Sequence, residues 1–288
     1  MDKVIQAPDG RTISFADFGE DNQITAFYCH GGPGSRNAAK GNADKDTENL
    51  IRYIGVDRPG YGNTSPLPGR TINDWTNDLE LIADHLNIEN FYMIGVSTGG
   101  SYSLATAARF PERVLGVLVC CGMSDMRWAS EYATMAGVER YVSLSREEAY
   151  ELAVKDMGED GSKMLSNDDA TGESSLSPAD LLYLQDPENI KRFISDDATF
   201  AQGVTGYADD RLADCSTQGW SSFEVNNVSC PVNLIHGETD TIVPVAHAHH
   251  TAEIVKDSEI KIYPEHGHLS ISDEIHENLQ LLIQRSCS

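Results

Sequence analysis

Short apolar runs alternate along the chain with stretches in which apolar residues recur every three or four positions, and this rhythm predicts a mainly parallel sheet with helices on its faces. The runs at 3–6, 12–18, 25–29, 50–56, 91–96, 114–120, 232–236 and 259–263 have the length and the β-branched and aromatic content of strands. Pro8-Asp9-Gly10 separates the first two. Proline presets the turn and glycine tolerates positive φ, so these two strands should pair as a hairpin and supply an antiparallel edge. The clearest helix spans 72–86, where Ile72, Trp75, Leu79, Ile82, Ala83 and Leu86 share one face with Asp and Asn between them. Further helices are expected at 98–109, ending before Pro111, and at 245–255 and 273–284.

From Met123 to about Asn226 the pattern turns polar, acidic and helical, with no convincing strand. Ser145-Arg-Glu-Glu148 and Ser177-Pro-Ala-Asp180 both read as helix starts, a hydroxyl cap followed by an acid in the first turn. The strand rhythm resumes at Cys230-Pro231. Since the segments on either side each hold only part of the sheet, residues 123–226 are expected to be a helical cap inserted into one core built from 1–122 and 227–288.

The size, 288 residues, fits that plan, and 40% hydrophobic with 23% charged residues is ordinary globular usage. Charge changes the picture more. Lys plus Arg is 21 and Asp plus Glu 45, so the net charge is 21 − 45 = −24. Such a surface repels phosphate backbones and anionic lipid, so roles on nucleic acid and at membrane surfaces are not expected. The longest apolar stretch, 114–121, is far short of the roughly 18 residues a span requires, and the mean hydropathy is −0.35. The start, Met1-Asp2-Lys3-Val4, has no basic and apolar leader, and the six cysteines lie mostly in or beside apolar runs without metal-ligand spacing. Reduced thiols and a cytoplasmic location are expected.

Candidate chemistry gathers at predicted strand ends. Gly95-Val96-Ser97-Thr98-Gly99-Gly100 follows one strand and opens a helix, the setting in which a tight turn lifts a serine hydroxyl above a sheet. His30-Gly31-Gly32-Pro33-Gly34-Ser35 follows another. Its glycines let the main chain approach a substrate, and the N–H groups of Gly32 and Thr98 are the expected oxyanion donors, because Pro33 has none to offer. No Gly-Lys-Ser or Gly-Lys-Thr follows, and no dinucleotide fingerprint with its downstream acid is present, so no cofactor is expected. An acid and a base have two sources: Gly237-Glu238-Thr239-Asp240-Thr241-Ile242-Val243-Pro244, and Pro264-Glu265-His266-Gly267-His268-Leu269-Ser270. His247, His249 and His250 lack an adjacent acidic ligand pattern and read as a solvated helix face, so no metal is expected.

Taken together, His30-Gly-Gly-Pro-Gly34, Asp57-Arg-Pro-Gly-Tyr-Gly62, Gly95-Val-Ser-Thr-Gly99, His236-Gly-Glu-Thr-Asp-Thr-Ile-Val-Pro244 and Gly267-His268 resemble the α/β-hydrolase-fold serine hydrolases over nearly the whole chain. The resemblance implies an α/β fold and a catalytic order Ser97, Asp240, His268, with the histidine as base and the aspartate fixing its tautomer. It favours His268 over His266 because the base precedes an apolar residue, and Asp240 over Glu238 or over Asp125, which follows the preceding strand. It makes the Asp57-Arg58 loop a structural feature beside the site, these two residues forming an internal ion pair. Serine at position 97 separates the chain from haloalkane dehalogenases and epoxide hydrolases, whose nucleophile is Asp. The activity implied is carboxylesterase-like cleavage of ester bonds through an acyl-enzyme. The His30–Gly34 string also resembles proline iminopeptidases, and an acid-rich cap suits a free amine. Against this, that family has a Gln-Arg-Gly type loop at 57–62 and Trp where Thr98 stands. A receptor of this fold that binds without turnover would not need the complete set. Met123, Met126, Trp128, Tyr132 and Met135 are expected over the mouth of the site, an apolar wall suited to uncharged groups.

Overall fold

In the computed structural model, which describes residues 2–133, 135–163, 176–194, 197–215 and 219–287, eight strands form one sheet. They are β1 (Asp2–Gln6), β2 (Thr12–Phe18), β3 (Ile24–Cys29), β4 (Ile51–Val56), β5 (Phe91–Val96), β6 (Val114–Cys120), β8 (Val232–Gly237) and β9 (Ser258–Tyr263), while β7 (Ala201–Val204) stands outside it. The order across the sheet is β1-β2-β4-β3-β5-β6-β8-β9. The β1–β2 hairpin and its junction with β4 are antiparallel, and the other pairs are parallel. The expected antiparallel edge is therefore present, and the predicted strands differ from the observed ones by one residue at most.

Central strands are apolar on both faces because helices cover both. Phe27, Cys29 and Met93 point to one layer, where α2 (Trp75–His85) and α3 (Gly99–Arg109) contribute Trp75, Leu79, Ile82, Tyr102 and Leu104. Their neighbours Ala26, Tyr28, Tyr92 and Ile94 point to the other, against α11 (Ile275–Ser286) through Ile275, Leu279 and Leu282. This period-two division fixes register, since a one-residue slip would exchange the two faces. α10 (Ala246–Ile254) joins β8 to β9, and α1 (Lys40–Lys45) precedes β4. The sequence pattern does not announce α1, whose Lys40-Gly-Asn-Ala-Asp-Lys45 has no apolar stripe. Helix α2 begins at Trp75 and not at 72 because Asp74 accepts from the Thr71 N–H and hydroxyl at 2.7 and 2.8 Å, which holds the preceding residues as a turn.

Between β6 and β8 the chain runs through α4 (Met126–Tyr132), α5 (Ala136–Glu139), α6 (Arg146–Met157), α7 (Pro178–Tyr183), α8 (Pro187–Ile194), β7 and α9 (Thr205–Cys215). The expected starts hold: Ser145 and Glu148 form a reciprocal capping box on α6, and Ser177 caps α7 with Pro178 in its first turn. Packing among α6, β7 and α9 buries Tyr141, Ala149, Ala153, Val204 and Tyr207 around Tyr61. The approach to the core is close. A Cβ on Gly60, whose φ is +89°, would lie 2.8 Å from the Gly206 Cα, so a backbone without side chains is required where α9 meets the loop after β4.

Candidate active site

Ser97 follows β5 at the sheet's C-terminal edge with φ +53°, a left-handed residue in a turn its neighbours make possible. A Cβ on Gly95 would come within 2.5 Å of the Gly99 carbonyl oxygen and of Ser103 Oγ, so only glycine lets α3 leave the strand this sharply. The turn is tied to the sheet by the Ser97 N–H, which donates to the Cys120 carbonyl at 2.9 Å. Loops after β8 and β9 bring the other groups. His268 Nε2 lies 3.1 Å from Ser97 Oγ, and His268 Nδ1 lies 2.7 Å from Asp240 Oδ2. The second oxygen of Asp240 accepts the backbone N–H groups of Ile242 and Val243 at 2.9 and 2.8 Å. All three residues are almost covered, at 8%, 9% and 7% exposure for Ser97, His268 and Asp240.

Electrostatics follow from the geometry. Burial alone would raise the Asp240 carboxyl, but His268 and His236 beside it hold it well below the usual carboxylate range. Burial likewise opposes a charged His268, and the Asp240 carboxylate overrides that and lifts the imidazole well above its ordinary value. His236, at the start of the 236–244 motif, joins this group. It is fully buried, and its Nε2 sits 2.8 Å from the Val243 carbonyl and 3.1 Å from Asp240 Oδ2.

The loop Gly31-Gly32 lies directly against this group: a Cβ on Gly31 would be 3.5 Å from the Ser97 Cβ, and one on Gly32 would be 3.0 Å from Thr98 Oγ1. Among the described residues, neither the Gly32 nor the Thr98 N–H donates to a protein acceptor. His30 is fully buried. Its Nδ1 lies 2.7 Å from the Gly31 carbonyl, its Nε2 accepts from the Arg58 N–H at 3.2 Å, and burial reinforced by the Arg58 charge pushes it well below its ordinary pKa. A neutral His30 thus stiffens the loop.

Asp57 and Arg58 are both buried and ion-paired, with different partners. Asp57 meets Arg36 at 2.7 Å, whereas Arg58 meets Asp210 of α9 at 2.7 Å. Asp210 also pairs with Arg70 and accepts from Tyr61 and Tyr102 at 2.8 and 3.3 Å. Its neighbour Arg211 pairs with Asp214 at 2.7 Å and donates to Thr98 Oγ1. Sequence reading missed these α9 residues, because a charged helix in an acidic chain carries no mark that it turns inward.

The alternative candidates lie elsewhere. His266 faces Glu274 at 3.7 Å, Glu238 is exposed, and Asp125 caps α4 and pairs with Arg127 at 2.5 Å. The expected solvated histidine face is corrected at His247, which is fully buried and accepts the Ser124 N–H at 3.0 Å. His250 is half-buried on the Trp128 ring, and only His249 is exposed. Burial follows because α10 packs against the start of the segment after β6. Of the apolar residues expected at the mouth, Met123 touches Thr98 Oγ1 through its sulfur at 3.5 Å, and Met126 and Met135 pack around Val243. Tyr132 is 68% exposed. Cys121, Asp240 and His268 place metal-binding atoms within 4.8 Å of one another, but these donors already face each other, with the Cys121 thiol on the His268 carbonyl at 3.5 Å.

Comparison with known proteins agrees with this architecture. An uncharacterized hydrolase of Bacillus subtilis is 24% identical over 91% of this chain and 89% of its own length. A probable proline iminopeptidase of Leptolyngbya boryana is 32% identical, over 38% of this chain and 34% of its own length. Among solved structures, an esterase from Thermogutta terrifontis superimposes with a TM-score of 0.75 at 19% identity, covering all of both chains. Among the described residues, no helix is long and apolar enough to cross a membrane. Residues 27–275 match the family described as alpha/beta hydrolase fold, and with the eight-stranded, mainly parallel sheet flanked by helices, the chain belongs to that family of hydrolases.

Proposed function

We propose that the protein is a serine hydrolase that cleaves ester-like bonds of small molecules through an acyl-enzyme, in the manner of a carboxylesterase. The observation that carries this reading is the continuous contact from Ser97 Oγ through His268 to Asp240, at 3.1 and 2.7 Å. In this scheme His268 Nε2 takes the hydroxyl proton as Ser97 Oγ bonds to the ester carbonyl carbon. Asp240, on Nδ1, holds the tautomer and stabilises the imidazolium. Negative charge developing on the carbonyl oxygen meets the N–H groups of Gly32 and Thr98, which stand beside Ser97 without protein acceptors. His268 returns the proton to the departing alcohol; it then takes a proton from water as the water oxygen bonds to the acyl carbon, and gives it to Ser97 Oγ as the acyl bond to Ser97 breaks and the acid leaves. Residues 123–226 act as the cap, with 1–122 and 227–288 as the core.

The aminopeptidase alternative draws support from the Leptolyngbya relative. An α-ammonium group, however, needs a carboxylate free to pair with it, since a desolvated charge left alone is very costly. Of the cap acids that reach the site, Asp210 and Asp214 are already occupied by Arg58, Arg70 and Arg211, and Asp180 by the backbone N–H groups of 268–270. Met123 adds an apolar surface instead. A substrate panel tests the choice: neutral short-chain p-nitrophenyl esters should be hydrolysed with a kcat/KM at least about 100-fold above that for prolyl or alanyl arylamides. Preference for the arylamides, lost when Glu131 is changed to Gln, would promote the peptidase.

A further inference from the structure

The loop after β9 exposes a structural problem. His268 must be aimed at Ser97, yet three successive N–H groups, at 268, 269 and 270, leave the strand with no ladder partner and must find acceptors away from water. One carboxylate serves them all. Asp180 of α7 accepts from the His268 N–H at 2.9 Å, from Leu269 at 2.9 Å and from Ser270 at 3.0 Å, and it also accepts from Ser177 Oγ at 3.0 Å. It is fully buried. Among the described residues no lysine or arginine pairs with it, so its charge is balanced by backbone dipoles, an arrangement that binds anions strongly. Gly267 belongs to the same contact: a Cβ there would overlap Ser177 Oγ and Asp180 Oδ2. The glycine of the Gly267-His268 pair is thus the space into which α7 docks.

We propose that Asp180 is the positioning residue of the general base, fixing the backbone of 268–270 so that His268 Nε2 meets Ser97 Oγ and making turnover depend on the seating of α7. The proposal rests on the assignment of His268 as base. The Asp180 carboxylate, which accepts from the His268 N–H at 2.9 Å, also favours the imidazolium that forms as Ser97 attacks. His268 faces Asp240 from the loop after β8, Cys121 from the end of β6 and Ser97 from the turn after β5, and Asp180 adds a fourth element. Asp240 acts on the imidazole directly, while Asp180 acts through the main chain.

The test compares wild type with Asp180→Asn in kcat, KM and pH profile on a neutral p-nitrophenyl ester, and in the rate at which a fluorophosphonate labels Ser97. Asparagine keeps the shape but loses the charge and one set of acceptor lone pairs. We expect kcat per labelled site to fall about 10- to 100-fold with KM changed by less than about threefold, the pattern of a misplaced catalytic group. The acidic limb of kcat/KM should move to lower pH. A lower melting temperature with unchanged kcat per labelled site and an unchanged limb would show a merely structural role and overturn the proposal. If Asp180→Asn does not fold, Gly267→Ala should displace α7 and give the same losses; an unaltered kcat and limb in that variant would equally overturn it. A wild type unlabelled at Ser97 refutes the hydrolase assignment and this proposal with it, whereas a labelled, active wild type matched by Asp180→Asn refutes only the proposal.

Discussion

Asp240 and Asp210 are both buried carboxylates, and they are held in opposite ways. Asp240 has two backbone donors from its own loop and two imidazoles, His236 at 3.1 Å and His268 at 2.7 Å, the second of which reaches the Ser97 hydroxyl. Asp210 is bonded to Arg58, Arg70, Tyr61 and Tyr102, and although burial alone would raise it, the arginine charges keep it ionised far below the usual range. One arrangement contains imidazoles, which can gain and lose a proton. The other contains arginines, which cannot. The contrast separates a carboxylate whose imidazole partner reaches the Ser97 hydroxyl from one that fastens α9 to the core.

The largest effect should come from cutting the reactive chain at its end. Ser97→Ala is expected to lower kcat about 10⁴-fold or more on a p-nitrophenyl ester, leaving the residue that oxyanion binding supplies. His268→Ala should cost about as much, and the double variant little further, because nucleophile and base act as one unit. Steady-state kinetics on the three variants would break the account if the losses multiplied.

Asp240→Asn comes next, with an expected loss of about 10²- to 10⁴-fold in kcat. It carries a pH signature as well. His268 must be neutral to accept a proton, so kcat/KM falls as pH drops through its pKa, which Asp240 raises. Removing that carboxylate should therefore shift the acidic limb of the profile to lower pH, and a limb moving upward would contradict the pairing.

On the other side of the comparison, Asp210→Asn should act on stability. Removing one partner of a buried ion network leaves Arg58 and Arg70 uncompensated and should cost about 3–5 kcal/mol in chemical denaturation. Activity per labelled site should fall far less than in Asp240→Asn. The smallest change is expected from His266→Ala, within about twofold in kcat, because its ring faces Glu274 and not Ser97.

The strands of the sheet were legible because each depends on a local signal, an apolar run closed by a turn, and Ser97 stood out by its glycine-rich turn at a strand's end. Asp240 and His268 were instead singled out from Glu238, Asp125 and His266 by the family resemblance and not by a local signal. Pairing by distance was not legible. Asp180 and His268 are 88 residues apart, and Ser177-Pro-Ala-Asp180 has the same outward form as an ordinary helix cap. Similarly, Arg58 and Asp210 are separated by 152 residues, so neither marks the other in the sequence. His247 shows the same limit, since only the packing of α10 decides that one histidine of three is buried.

Mapping the adduct formed with a fluorophosphonate probe by peptide mass spectrometry tests the central claim most directly, because the reagent reacts with a serine only where a base activates it and donors hold the oxyanion. The account predicts a single modified residue, Ser97, with labelling abolished in Ser97→Ala and slowed at low pH as His268 becomes protonated. Modification at Ser101 or Ser35, or labelling that persists in Ser97→Ala, would contradict it.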